Sequence, residues 1–208
     1  MIHARRQEPG WDLSGGRLCL DFANTLNDRL TDHAQELLNR YTDLVSWSRQ
    51  VGIVTEREAL RLMHKAGRQQ VDGAAVLERA IALREAIYRL FSAVAGKRQA
   101  PKADLAVLNT ALAETLPQSR IVSTAQGFGW GWTDNEEALD RVLWPVVRSA
   151  ASLLTSGELA AVRECAAANC GWLFLDTSRN RSRRWCNMQV CGNRAKARRH
   201  YERQQGKR

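Results

Sequence analysis

The chain has 208 residues, 44% hydrophobic and 25% charged, with a formal net charge of +9. This composition fits a soluble globular protein of one or two domains. No apolar run is long enough to span a membrane or to form a signal-peptide core after Met1, so a cytoplasmic protein is expected. A reducing compartment argues against disulfides among the five cysteines. The charge excess is confined: residues 163–208 hold 12 Lys and Arg against 3 Asp and Glu, which leaves the preceding 162 residues neutral. A neutral domain over 1–160 joined to a small basic one over 161–208 is the expected organisation.

Residues 1–13 read as a loose lead-in with a Pro9-Gly10 turn signal. Leu18, Phe22 and Leu26 then recur on one helical face, although a short strand at 17–20 has the same apolar character. On the helical reading Asp21, Thr25 and Asp28 share another face with Asn24 close by, as pocket-lining or as ordinary solvent-facing groups. Cys19 reads as a small core residue. Thr42 is placed to cap a helix ending at Gly52, and Thr55 with Glu58 forms a capping box for a helix stopping at Gly67. The longest helix is expected from Asp72 to about Val94, stopped by Gly96, with Arg84 beside its apolar stripe. A partly buried arginine needs a carboxylate or a ligand unless its end snorkels to water. Pro101 opens a further helix, with Leu105, Leu108, Leu112 and Leu116 spaced for one face.

At 120–133 the period changes to two. A β-hairpin is expected, with Phe128, Trp130 and Trp132 on one face and glycines on the other, packed close to a helix or flooring a small-molecule pocket. Asp134 or Asn135 would cap a long helix over 136–155, kinked at Pro145.

The last quarter carries Cys165-x4-Cys170-x15-Cys186-x4-Cys191. Two short-spaced pairs across a medium gap suit one tetrahedral metal, and four sulfurs select zinc in a closed, structural site. Two disulfides or four unconnected thiols are the competing readings. Between the pairs, 171–175 and 183–185 read as strands about a turn, and 192–203 as a helix. So small a module draws much of its folding energy from the metal. The fold class is therefore mainly α: a helical N-terminal domain with one β-hairpin, plus a C-terminal treble-clef-like ββα zinc finger.

The basic residues lie in two groups. Arg179, Arg181, Arg183 and Arg184 belong to the turn and returning strand, and Arg194, Lys196, Arg198, Arg199 and Arg203 to the helix. A helix basic nearly all round is not packed in a core; its natural partner is a polyanion, with arginine forks suited to phosphates and guanine edges. A solvated face or an acidic protein partner is the plainer alternative. Asn193 reads as a helix cap or an adenine contact.

Trp172-Leu173-Phe174-Leu175-Asp176, Arg184-Trp185-Cys186-Asn187-Met188 and Cys191-Gly192-Asn193-Arg194-Ala195-Lys196 resemble the CGNR zinc finger. Leu20-Asp21-Phe22-Ala23-Asn24-Thr25 is similar to the signature of the ABATE domain, which accompanies that finger in bacterial stress-induced transcriptional regulators. The resemblance implies zinc ligands at Cys165, Cys170, Cys186 and Cys191, and a DNA-binding finger on a helical sensor domain. It carries the polar signature to Asp21, Asn24 and Thr25. Those three and Arg84 are the candidate effector contacts, and a homodimer on two half-sites would supply specificity. An RNA- or ribosome-associated zinc protein is the second reading. An enzyme is not expected, since the four histidines are scattered and no phosphate loop, zincin motif or nucleophile elbow occurs.

Overall fold

The computed structural model describes residues 10–205, so the first nine residues of the expected lead-in, Pro9 included, lie outside the described residues. The helices are α1 (Leu18–Ala23), α2 (Tyr41–Gln50), α3 (Glu56–Arg68), α4 (Gln70–Ala95), α5 (Lys102–Thr115), α6 (Trp144–Leu154) and α7 (Asn193–Gln205). Three antiparallel pairs of strands accompany them: β1 (Leu26–Asn27) with β2 (Gln35–Glu36), β3 (Ser119–Thr124) with β4 (Gly127–Trp132), and β5 (Val162–Glu164) with β6 (Leu173–Leu175).

Helix α4 is the axis. Its Ala80, Leu83, Ile87, Leu90 and Phe91 are buried, and it packs against α1, α2, α3, α5 and β5. Gly96 caps its end as expected. The Thr55–Glu58 capping box at the start of α3 is also present, with the Glu58 carboxylate accepting from the Thr55 amide at 2.7 Å. Helix α1 packs on both α4 and α6, burying Cys19, Leu20, Phe22 and Ala23. The Cys19 thiol is pushed up to about 12 by burial, as expected of an inert core residue.

Several local expectations are corrected. Helix α1 ends at Ala23, and Leu26 belongs to β1, because Asn24 leaves the helix to bond another element. The entry to α2 is held by Asp43, whose carboxylate reaches back to accept from the Asn39 and Arg40 amides at 2.9 and 2.8 Å; Thr42 lies inside the helix. On α5 the buried face runs through Asp104, Leu108 and Thr115, leaving Leu105 and Leu116 exposed, because Asp104 turns inward to pair with Arg89 of α4 at 2.6 Å. The single kinked helix over 136–155 is instead a short 3-10 turn, Leu139–Val142, followed by α6. Pro145 sits in the first turn of α6, where its missing N–H costs no intrahelical bond.

The β3–β4 hairpin is present, with Ile121 opposite Trp130 and Ser119 opposite Trp132. Its glycine face is not against a helix. Val122 and Thr124 of β3 lean across into the space at Gly131 and Gly129. It is the base of the aromatic face that meets a helix: Trp132 packs on Trp144 with ring centroids 5.9 Å apart, and Arg148 of α6 lies 4.5 Å over Trp130. Phe128 at the tip is exposed.

Candidate functional site

The four late cysteines converge. Their sulfurs all lie within 4.8 Å of one another, and all four residues are buried. The Cys170–Cys186 and Cys186–Cys191 separations are 3.6 and 3.7 Å. A tetrahedron with zinc–sulfur bonds of about 2.3 Å has edges of about 3.8 Å, so the cage already has the size of a zinc–tetrathiolate site. A divalent cation lets all four ionise together. The site holds one structural zinc ion, and four thiolates leave that ion no open position.

Each ligand is fixed by local structure. Cys165 follows β5, and its amide donates to the Trp172 carbonyl at 2.8 Å, closing the first knuckle. Gly171, just after Cys170, has φ +68°, and a Cβ there would lie 3.0 Å from a Leu30 side-chain carbon; this turn needs glycine on both counts. In the second knuckle Asn187 accepts from the Gln189 and Val190 amides through its side chain, while its carbonyl takes the Cys191 amide at 2.9 Å. Cys191 thus sits in a π turn, Met188–Gly192, at the head of α7, where the helix dipole favours a thiolate. Asn187 is the cap of this segment. Asn193, expected as a possible cap, is the first residue of α7 and is exposed.

The strand pairing differs from expectation. β6 pairs with β5, upstream of the first cysteine, and residues 183–185 form no strand. What returns after the turn is an extended segment joined to the first knuckle by the Ala166 amide donating to the Arg184 carbonyl at 2.8 Å. The reason is Asp176. Its buried carboxylate accepts from Ser178 N (2.9 Å), Ser178 Oγ (2.6 Å) and Arg183 N (3.0 Å), which curls 176–183 into a loop and spends the amide that a ladder would use. Burial alone would raise the Asp176 carboxyl, but these bonds hold it below the ordinary carboxylate value.

The basic residues fall into two groups. Arg183 is turned inward: its guanidinium donates to the carbonyls of Trp185 and Cys186 and lies 4.4 Å over the Phe174 ring. Arg184 lies 5.2 Å over Trp185. Arg194 pairs with Asp28 at 3.6 Å, and Arg198 with Glu202 at 3.6 Å. Arg179, Arg181, Lys196, Arg199 and Arg203 are exposed and form no ion pair among the described residues. Asp28, Asp176 and Asn187 therefore shape this surface although none is basic. The sequence signals for them were the finger motifs that contain Asp176 and Asn187 and the polar face shared by Asp21, Thr25 and Asp28.

The finger is joined to the helical domain by contacts rather than hung from a linker. Asn24 works as a strand surrogate: its side chain accepts from the Leu173 amide and donates to the Leu173 carbonyl, both at 2.8 Å and buried. Trp172 Nε1 donates to the Leu26 carbonyl at 3.0 Å, Asn169 to Asp28 at 2.7 Å, and the Leu175 amide to the Gly15 carbonyl at 2.8 Å. Strand β6 is the shared wall. Leu173 and Leu175 face the helical core while Phe174, on the opposite side, faces the cysteine cluster.

Asp21, Asn24, Thr25 and Arg84 all have partners inside the protein. The Asp21 carboxylate accepts from the Gly15 amide at 2.8 Å, and burial pushes it up to about 6. A Cβ at Gly15 would stand 2.8 Å from that same carboxylate, which accounts for the glycine. Thr25 Oγ1 donates to the Phe22 carbonyl at 2.8 Å. Arg84, 2% exposed, forks onto Glu36 at 2.5 and 2.7 Å and reaches Glu85 at 2.9 Å. Glu85 in turn pairs with Arg29 at 2.5 Å. Burial works against both carboxylates, but the guanidinium bonds outweigh it and hold Glu36 and Glu85 below their ordinary values.

A zinc–tetrathiolate knuckle leading into a basic helix, welded to a helical domain, defines the class: a zinc-finger protein with a dedicated second domain. Residues 161–204 match the family model of the CGNR zinc finger. Residues 16–157 match the ABATE model, described as "Putative stress-induced transcription regulator", and the chain belongs to that family. No curated protein matches the chain. No helix among the described residues is long and apolar enough to cross a membrane.

Proposed function

We propose that this chain is a cytoplasmic DNA-binding transcriptional regulator that acts by binding and not by turnover. One observation carries the reading: five exposed cations, Arg179, Arg181, Lys196, Arg199 and Arg203, without ion-pair partners among the described residues, stand on a loop and a helix fixed by the same zinc site. Exposed cations without ion-pair partners are what phosphate contacts require. Arg194, Arg198 and Asn193 extend the surface at the start of α7, and Arg184 extends it beside the loop. Arg183 serves the finger's own structure. A homodimer placing two fingers on two half-sites would supply the sequence range that one finger lacks.

The helical domain governs the finger's orientation in this reading. The support is the joint through Asn24, Leu26 and Gly15, which couples any movement of α1 to β6. Asp21, Asn24, Thr25 and Arg84 act in that joint and its supporting ion-pair cluster, transmitting an effector's signal without touching the effector.

The test is duplex binding by the zinc-loaded protein across salt concentrations. Log affinity should fall linearly with log salt, and Lys196→Ala should flatten the slope by about 0.9, the value of one phosphate contact. A slope near zero would remove the DNA reading. Tighter binding to structured RNA than to duplex DNA would transfer the surface to RNA.

A further inference from the structure

Helices α4, α5 and α6 do not close fully on one another. They leave an apolar groove of about 370 Å³, within the range of small-molecule pockets. Its floor is core: Leu83 from α4, Leu143 just before α6, and Trp144 and Val147 from α6, are all buried. Its outer wall is Val107 and Ala111 of α5. The groove has a charged rim. Arg79 and Glu114 face each other across it at 3.9 Å and offset each other's charge. Asp140, on the 3-10 turn before α6, lines it as well. Asp140 is half-buried, and its carboxylate has no hydrogen bond or ion pair among the described residues. The nearest basic neighbour in sequence, Arg141, is committed to Glu58 at 3.0 Å.

A half-buried carboxylate beside an apolar slot, with its nearby cations already paired, leaves one negative charge to be met from outside. We infer that this groove is the effector site of the helical domain, and that it takes an amphipathic molecule with an aromatic or aliphatic body and a cationic ammonium head set against Asp140. This rests on the reading of the helical domain as the governing part, but not on what the finger binds. The location also suits a signal: α4 and α6 both pack on α1, which carries the chain into Asn24 and the finger joint.

Three probes with one skeleton separate the terms: 4-phenylbutylammonium, 4-phenylbutanol and 4-phenylbutyrate, titrated by calorimetry into the full zinc-loaded chain. The ammonium should bind saturably at one site, more tightly than the alcohol, and the carboxylate least. Asp140→Asn should weaken the ammonium about tenfold, the size of one lost charged hydrogen bond, and leave the alcohol within about twofold. Val107→Phe, which fills the half-exposed outer wall, should abolish all three. The inference is overturned if none of the probes binds, if the carboxylate binds best, or if Asp140→Asn weakens the alcohol as much as the ammonium. It is equally overturned if the protein forms a dimer that Val107→Phe disrupts while the probes do not bind, which would give the groove to a second copy. If the chain binds duplex DNA but saturating ammonium leaves that affinity unchanged, the groove is not an effector site and the inference is overturned; if it binds no DNA, the reading of the finger fails and the probe titrations still decide the groove.

Discussion

The two parts of this protein solve the problem of burial in different ways. The helical domain fills its core with side chains from six helices, α4 at their centre. The finger has Phe174, Ala167 and four cysteines, with Trp172 and Trp185 at the edge. So small a cluster cannot offset the ordering cost of the finger, so metal–sulfur bonds take the place of apolar area. The boundary is not a gap between the two solutions. β6 gives alternate side chains to each, so the metal-built part is also a wall of the helical core.

The largest expected effect is on the metal. Cys186→Ser, or chelation, should take zinc content from one per chain to near zero and unfold the finger, since structural zinc supplies about 10–16 kcal/mol in such modules. Far-UV circular dichroism should keep most of its helical signal, but the remaining domain should melt earlier, because Val162, Leu173 and Leu175 leave its core. An unchanged melting temperature would break the shared-wall comparison.

Next is the joint. Asn24→Ala leaves the Leu173 amide and carbonyl buried and unpaired, at a cost of about 3 kcal/mol. Calorimetry should then resolve two melting transitions where the parent shows one. A single transition at the parent temperature would mean that the apolar wall alone couples the parts.

The ion-pair cluster comes third. Glu36→Gln should cost about 2 kcal/mol, since Arg84 stays buried with only Glu85 to pair it. Glu36 and Glu85 have folded-state values below their unfolded ones, so their contribution is complete above the unfolded value of about pH 4.3 and is lost as pH falls through the lowered values. Melting temperature should therefore drop below about pH 4, and more steeply in the parent than in Glu36→Gln. The smallest effect is the salt-slope change in Lys196→Ala, which should leave the melting temperature unmoved.

The sequence alone determined the features that depend on neighbours in the chain. The Thr55–Glu58 box, the Gly96 stop, the hairpin alternation read over 120–133 and the two cysteine pairs are local geometry, and each is found, the hairpin within a residue of the expected bounds. The misreadings occur where the preceding chain turns another way or a distant partner decides. Pro145 starts a helix instead of kinking one because the chain before it turns in 3-10 form. β6 takes β5 as its partner because the Asp176 loop diverts the following segment. Asn24 and Leu173 are 149 residues apart, and Glu36 and Arg84 are 48 apart. Whether a polar side chain faces a ligand, solvent or a buried amide is settled by which backbone group arrives opposite it. Only the packing of α1, α4 and β6 against one another decided that.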